Sequence, residues 1–185
     1  MALTDQRLTA EEYLARPPED RFTQLVNGEI VVTEATLRHQ EIVGFIHWVL
    51  RNWVVAAPGR GRAGIPANVF LDDANVFAPD VWWVSEAHLP DPRGLGLLGP
   101  PDLAVEVRSP STWRYDVGAK RATYERHGLP ELWLVDTESE TVLVYLRSSP
   151  EVADFDVALE LGAGEALTSP LLPGFSLAVP ELFDR

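Results

Sequence analysis

The chain has 185 residues, 46% of them hydrophobic, which suits one domain spanning 1–185 with a substantial core. Its net charge of −13 argues against a broad, non-specific nucleic-acid surface, because neutralised phosphates supply most of that kind of affinity. The lack of cysteine excludes disulfides and thiolate metal sites, and no apolar run reaches the ~18 residues of a membrane helix. Met1-Ala2-Leu3-Thr4-Asp5 has no basic stretch followed by an apolar one, so no secretory leader and no membrane partner are expected, and a cytoplasmic location is.

In chain order, Thr9 with Glu12 three positions on forms a capping box, predicting a short helix over 10–16 that stops before Pro17-Pro18. Phe22 to Val26 and Glu29 to Val32 are strands joined by Asn27-Gly28, a strong hairpin signal. From Leu37 to Ala57, Ile42, Phe45, Ile46, Val49, Trp53 and Val54 recur at helical spacing. Val43, Trp48 and Leu50 carry apolar character beyond one face, so the helix is expected to be covered on more than one side. Pro58-Gly59 ends it. Glu41 near its start suits the helix dipole.

Gly61 to Ile65 and Ala67 to Leu71 read as extended, split by Pro66, and Asp72-Asp73-Ala74-Asn75 as a turn. A strand over Val81 to Val84 is followed by His88 to Pro101, rich in Pro and Gly and predicted to be a long surface loop. Leu103 to Val107 reads as a buried strand. After Ser109-Pro110, Asp116 is placed to cap a helix running to His127, with Gly128 at its end. Leu132 to Val135 and Val142 to Leu146 form a second hairpin, and Phe155 to Leu159, Ala166-Leu167 and a short element near Phe175 close the chain.

Three residues stand out chemically. Glu106 interrupts the apolar run Leu103-Ala104-Val105-Glu106-Val107, where a charge is costly unless it is paired or binds a metal. Asp80 follows Pro79 and opens the run Val81-Trp82-Trp83-Val84. Among the 15 Lys and Arg residues, Lys120 is the one lysine, a compact charge that Arg does not replace. Asp116, Lys120 and Tyr124 lie at i, i+4 and i+8 and so near one helix face. Two carboxylates and an ammonium suit metal-dependent phosphodiester hydrolysis. Read without any family, Asp80 and Glu106 are more readily a buried polar pair serving structure, and Lys120 is equally well a lone cation on a solvated face. Arg108 to Arg126 holds five basic and two acidic residues, which is either a local basic patch or ordinary helix solvation.

Pro79-Asp80, the run Pro101-Asp102-Leu103-Ala104-Val105-Glu106-Val107-Arg108-Ser109-Pro110-Ser111-Thr112, then Asp116, Lys120, Tyr124, Gly128 and Glu131-Leu132-Trp133-Leu134-Val135-Asp136 together resemble the Uma2 family of putative restriction endonucleases, within the PD-(D/E)XK nuclease superfamily. The resemblance covers roughly residues 8 to 175. It implies an α/β (α+β) restriction-endonuclease-like fold, a mixed sheet flanked by helices with an N-terminal β-hairpin, and a metal-dependent endonuclease acting on DNA. Asp80, Glu106 and the Val107 backbone carbonyl would then bind Mg²⁺ or Mn²⁺. Lys120 would be a catalytic lysine reaching the site from the helix, because Arg108 stands at the usual lysine position and is free to hold a phosphate. His39 matches a histidine common in the family and is a candidate substrate-binding residue. Gln24 stands where the family often has Glu, which leaves a third acidic ligand without support.

Nucleases of this fold usually pair, and Trp48, Trp53, Trp82, Trp83 and Trp113 exceed what a small core needs, so a homodimer is expected. The rival reading, favoured by Gln24 and by the net acidity, is a catalytically inactive nucleic-acid- or protein-binding module on a nuclease fold. A metal-dependent phosphohydrolase of small substrates is a third.

Overall fold

Local chemistry sets the first elements. In the computed structural model, which describes residues 7–17 and 22–184, helix α1 (Ala10–Leu14) has both hydrogen bonds of the Thr9–Glu12 capping box. Expectations resting on Met1–Asp5 and Pro18 lie outside the described residues. Strands β1 (Thr23–Val26) and β2 (Glu29–Val32) pair antiparallel through the predicted turn. That turn puts Asn27 at φ 51° and Gly28 at φ 78°, the left-handed geometry that Asn-Gly tolerates and most residues resist.

Helix α2 (Leu37–Val55) follows, capped by the Thr36 hydroxyl. Then come β3 (Arg62–Gly64), β4 (Asn68–Asp72), β5 (Asn75–Phe77), β6 (Val81–Val84), β7 (Gly96–Leu98) and β8 (Leu103–Val107). A helical segment is built from α3 (Trp113–Tyr115), a π turn over Asp116–Lys120, and α4 (Arg121–Arg126). Strands β9 (Glu131–Asp136), β10 (Thr141–Leu146), β11 (Val157–Leu161), β12 (Ala166–Leu167) and β13 (Leu177–Ala178) precede the closing helix α5 (Pro180–Phe183). Among the described residues, no helix is long and apolar enough to cross a membrane.

The centre is a six-stranded sheet in the order β11-β10-β9-β8-β6-β3, with β8 and β9 parallel and the other neighbours antiparallel. The N-terminal hairpin joins a second sheet, β2-β1-β5-β4-β7. This is the expected mixed α+β architecture. Strand alternation divides the core between two faces of the central sheet. Leu103, Val105 and Val107 of β8 pack with Trp133 and Val135 of β9 against α2 and the C-terminal segment. Ala104, Leu132 and Leu134 point the other way, toward Tyr124 and Leu129. Glu106 shares the parity of Ala104, so the strand itself aims it at the helical segment.

Several expectations are corrected. The helix expected to start at a capping Asp116 begins at Trp113, and Asp116 lies inside it with helical φ/ψ. Strand β5, too short and mixed to read from pattern, completes the hairpin sheet. The 88–101 stretch is not wholly irregular, since β7 pairs parallel with β4. Trp82 and Trp83 are buried, and their indole N–H groups donate to the Ile65 and Arg60 carbonyls, so they serve the core rather than an aromatic surface. Trp53 and Trp113 are partly buried, which leaves Trp48 exposed.

Candidate active site

Register brings the two carboxylates together. Strands β6 and β8 pair antiparallel with Val81 opposite Val105, so one step further sets Asp80 opposite Glu106. The contact is direct at the backbone: the Val107 N–H donates to Asp80 Oδ2 at 2.7 Å. The 85–102 connection leaves from the other end of these strands, where the Asp102 carboxylate accepts the Ser85 N–H at 2.7 Å. That connection therefore departs from the end of the strands opposite Asp80 and Glu106.

The helical segment supplies the cation. Lys120 Nζ lies 2.6 Å from Glu106 Oε1 and 3.0 Å from Asp116 Oδ1. This is well inside the ~6 Å over which charges couple strongly. Both members of the closer pair are shielded from water, Lys120 at 1% exposure and Glu106 at 3%. The π turn ends at Lys120, and such insertions recur where a side chain is re-aimed at a functional position. Asp116 is braced in turn: the Thr112 hydroxyl donates to its Oδ2 at 2.9 Å, and Ser109 and Thr112 share a bond of 2.8 Å. Tyr124, one turn beyond Lys120, donates its hydroxyl to Glu106 Oε1 at 3.1 Å.

Burial in this cluster moves the titrations. Desolvation pushes the Glu106 carboxyl up to about 8, with Lys120 offsetting part of the rise and Asp116 and Asp80 adding to it. Burial alone would lower Lys120, but Asp116 and Glu106 outweigh it, so the lysine is raised and stays an ammonium. Desolvation, with the Glu106 charge next, lifts Tyr124 well above the usual phenol range and keeps it a donor.

His39, on the first turn of α2, is buried, and its Nε2 lies 3.2 Å from Asp80 Oδ2. Its Nδ1 meets no hydrogen-bond partner among the described residues, which assigns the proton to Nε2 and makes the ring a donor to Asp80. The contact orients the carboxylate, and the buried ring presents little surface to a substrate. Arg108 makes two bonds of 3.0 Å to Asp136, reaches Glu138 at 2.6 Å and lies over the Trp113 ring at 5.3 Å. To hold a phosphate it would have to exchange those acids. Other cations of the 108–126 stretch are likewise engaged, Arg121 with Glu125 and Tyr145 and Arg114 with Tyr115. Gln24 accepts the Ala78 N–H at 3.0 Å and so braces the approach to Asp80.

The donor set suits a hard divalent cation. Asp80 spends Oδ2 and Glu106 spends Oε1 on protein donors, while Oδ1 and Oε2 carry no hydrogen bond among the described residues. No third His, Cys, Asp or Glu joins them in a ready-made ligand cluster among those residues, so backbone and water oxygens would complete a shell, as Mg²⁺ prefers. The sequence reading took Asp116 for a cap and gave Tyr124 no role. The i, i+4, i+8 spacing already placed both beside Lys120, but only the fold turned that face toward Glu106.

The fold has a solved counterpart. The crystal structure of a putative nuclease belonging to DUF820 from Anabaena variabilis ATCC 29413 superposes with a TM-score of 0.80 at 20% identity, covering 96% of this chain and 98% of that one. No curated protein matches the chain in sequence. A family model described as Uma2, putative restriction endonuclease, matches residues 10–180, nearly the whole chain, and on that match the chain belongs to the Uma2 family.

Proposed function

We propose that this protein is a metal-dependent endonuclease that hydrolyses phosphodiester bonds in DNA at the Asp80–Glu106–Lys120 cluster. One observation carries the reading: two carboxylates at the aligned ends of β6 and β8, each with an oxygen uncommitted among the described residues, beside a buried ammonium 2.6 Å from one of them. Mg²⁺ or Mn²⁺ held by Asp80, Glu106 and the Val107 carbonyl would supply Lewis acidity toward the phosphoryl oxygens and a more acidic water. The protein's own groups do the rest. His39 and the Val107 N–H fix Asp80 in one orientation. Tyr124 and Lys120 fix Glu106, and Asp116 holds the Lys120 ammonium against it. Lys120 then orients the attacking water or stabilises the charge that grows on the phosphoryl group. Arg108 is the residue available to anchor a neighbouring phosphate, by exchanging Asp136 and Glu138 for it.

Purified protein with supercoiled plasmid and Mg²⁺ or Mn²⁺ tests this. Nicking that needs the metal, stops with chelator and is lost in Asp80→Asn supports the reading. Absence of cleavage with either metal, on DNA and RNA alike, refutes it.

A second reading, an inactive binding module on the same fold, is favoured by the closed Glu106–Lys120 pair and by Gln24 acting as a backbone brace. Calorimetric metal titration separates the two. An inactive module gives no heat dependent on Asp80, whereas the endonuclease gives heat that Asp80→Asn removes.

A further inference from the structure

Helix α2 has a second face that nothing covers among the described residues. Its inner side packs on β3, β6, β8 and α5. Its outer side presents Leu37, Glu41, Gly44, Trp48, Arg51 and Val55, at alternating spacings of four and three, the seam of a two-helix coil. Three of these are large apolar residues left in water: Leu37 at 86% exposure, Val55 at 65% and Trp48 at 59%. Trp48 is held in place by stacking on Phe45, with ring centroids 5.9 Å apart. A shallow depression lined by Glu41, Gly44, Phe45 and Trp48 lies at the middle of the stripe.

The stripe is complementary to itself when reversed. About a two-fold axis at position 46, an antiparallel copy sets Leu37 against the partner's Val55, Gly44 against the partner's Trp48, and Glu41 against the partner's Arg51. Every pairing then occurs twice, as an isologous contact requires. Apolar meets apolar at the ends, and opposite charges meet between. At the centre the largest side chain faces the smallest, and a Cβ built on Gly44 would meet nothing within 4 Å, so the space for an indole is open. Glu41 and Arg51 make no ion pair among the described residues, so both are available for one across the axis. Their separation of ten positions, ~15 Å along a helix, prevents them from pairing within one chain.

We propose that a second copy of this chain docks on α2, forming an antiparallel helix pair centred on Gly44 and Trp48 and steered by two Glu41–Arg51 contacts. The sequence had suggested a dimer from the pairing usual in the family it resembles and from five tryptophans as a group; of those five, only Trp48 is exposed, and it lies on this face. The proposal does not depend on the catalytic reading, because all six residues of the stripe point away from the Asp80–Glu106 cluster.

The test is charge reversal, read by sedimentation velocity or light scattering on the full chain at micromolar concentration. Wild type is expected to be a dimer. Glu41→Arg places like charges together at both contacts, as does Arg51→Glu, and each should weaken association about tenfold or more. The double variant Glu41→Arg/Arg51→Glu restores opposite charges and should recover the wild-type mass. Trp48→Lys should give monomer irrespective of the charges. All these positions are exposed, and circular dichroism confirms that each variant is folded. A monomeric wild type, single variants that remain dimeric, or a double variant that stays monomeric would each overturn the interface.

Discussion

Glu106 and Glu131 sit on the adjacent parallel strands β8 and β9, where Glu131 pairs with Leu103 and Glu106 with Leu134. Both are buried, and burial raises the pKa of both. Their surroundings differ in kind. Glu131 faces the α2 side of the sheet and is met by neutral donors, the Trp133 indole and the Ser169 hydroxyl, each at 2.6 Å. Those bonds tie the C-terminal segment to the sheet. Glu106 faces the other side and is met by an ammonium, with Asp116 and Asp80 close enough to raise its pKa further. A buried acid saturated by neutral donors is a fastener. One set among other charges, with an oxygen left over, is equipped for chemistry.

The comparison can be broken most severely at the carboxylates. Asp80→Asn or Glu106→Gln should lower metal-dependent cleavage by about a thousandfold or more, since each removes a charge and keeps the shape. Glu131→Gln should leave the rate per folded molecule unchanged. Steady-state cleavage assays decide it, and full activity in either of the first two variants removes that residue from the site.

Lys120→Arg comes next, with an expected loss of about a hundredfold, because a planar guanidinium cannot occupy the ammonium's point between Glu106 and Asp116. Metal affinity by calorimetry should change little, since the lysine is no ligand. An undiminished rate would transfer the role to Arg108.

Stability reports on Glu131. In Glu131→Gln an amide N–H replaces an acceptor opposite the indole or the hydroxyl. One donor then faces another, costing about 1–3 kcal/mol. Chemical denaturation measures it, and a variant as stable as wild type would mean Glu131 fastens nothing.

The smallest effect is a pH dependence. The Glu106 carboxyl rises from an ordinary 4.5 to about 8 in the folded chain. The folded state therefore holds this proton more tightly than the unfolded one. The associated stability is complete below about 4.5 and drains away as pH rises toward about 8. Lys120 stays charged throughout that window. With chelator present, wild type should lose more stability than Glu106→Gln between those limits. Parallel thermal-melt curves for the two proteins would show that Glu106 is not desolvated as described.

Much of the fold was legible because local chemistry fixes it. The Thr9–Glu12 box, the Asn27-Gly28 turn and the apolar period of α2 each depend on neighbours a few residues away. Strand β5 and the true start of the 113–126 helix were not legible. A three-residue strand has too little pattern, and an Asp that caps a helix looks the same in sequence as one that pairs with a lysine one turn on. The tryptophans misled for a related reason, since composition counts aromatic rings but cannot say which face of a strand carries them.

For the candidate site, sequence alone determined the ingredients. A glutamate in an apolar strand and a single lysine at i+4 from an aspartate are anomalies that desolvation cost makes visible without coordinates. Tertiary structure decided the arrangement. The β6–β8 register set Asp80 against Glu106, the π turn ends at the Lys120 that meets Glu106, packing of α2 brought His39 to Asp80, and the β8–β9 pairing set Arg108 beside Asp136. The physical reason is range. Burial cost is a property of one residue and its immediate run, whereas a contact of 2.6 Å between residues 14 positions apart exists only after strand and helix have packed.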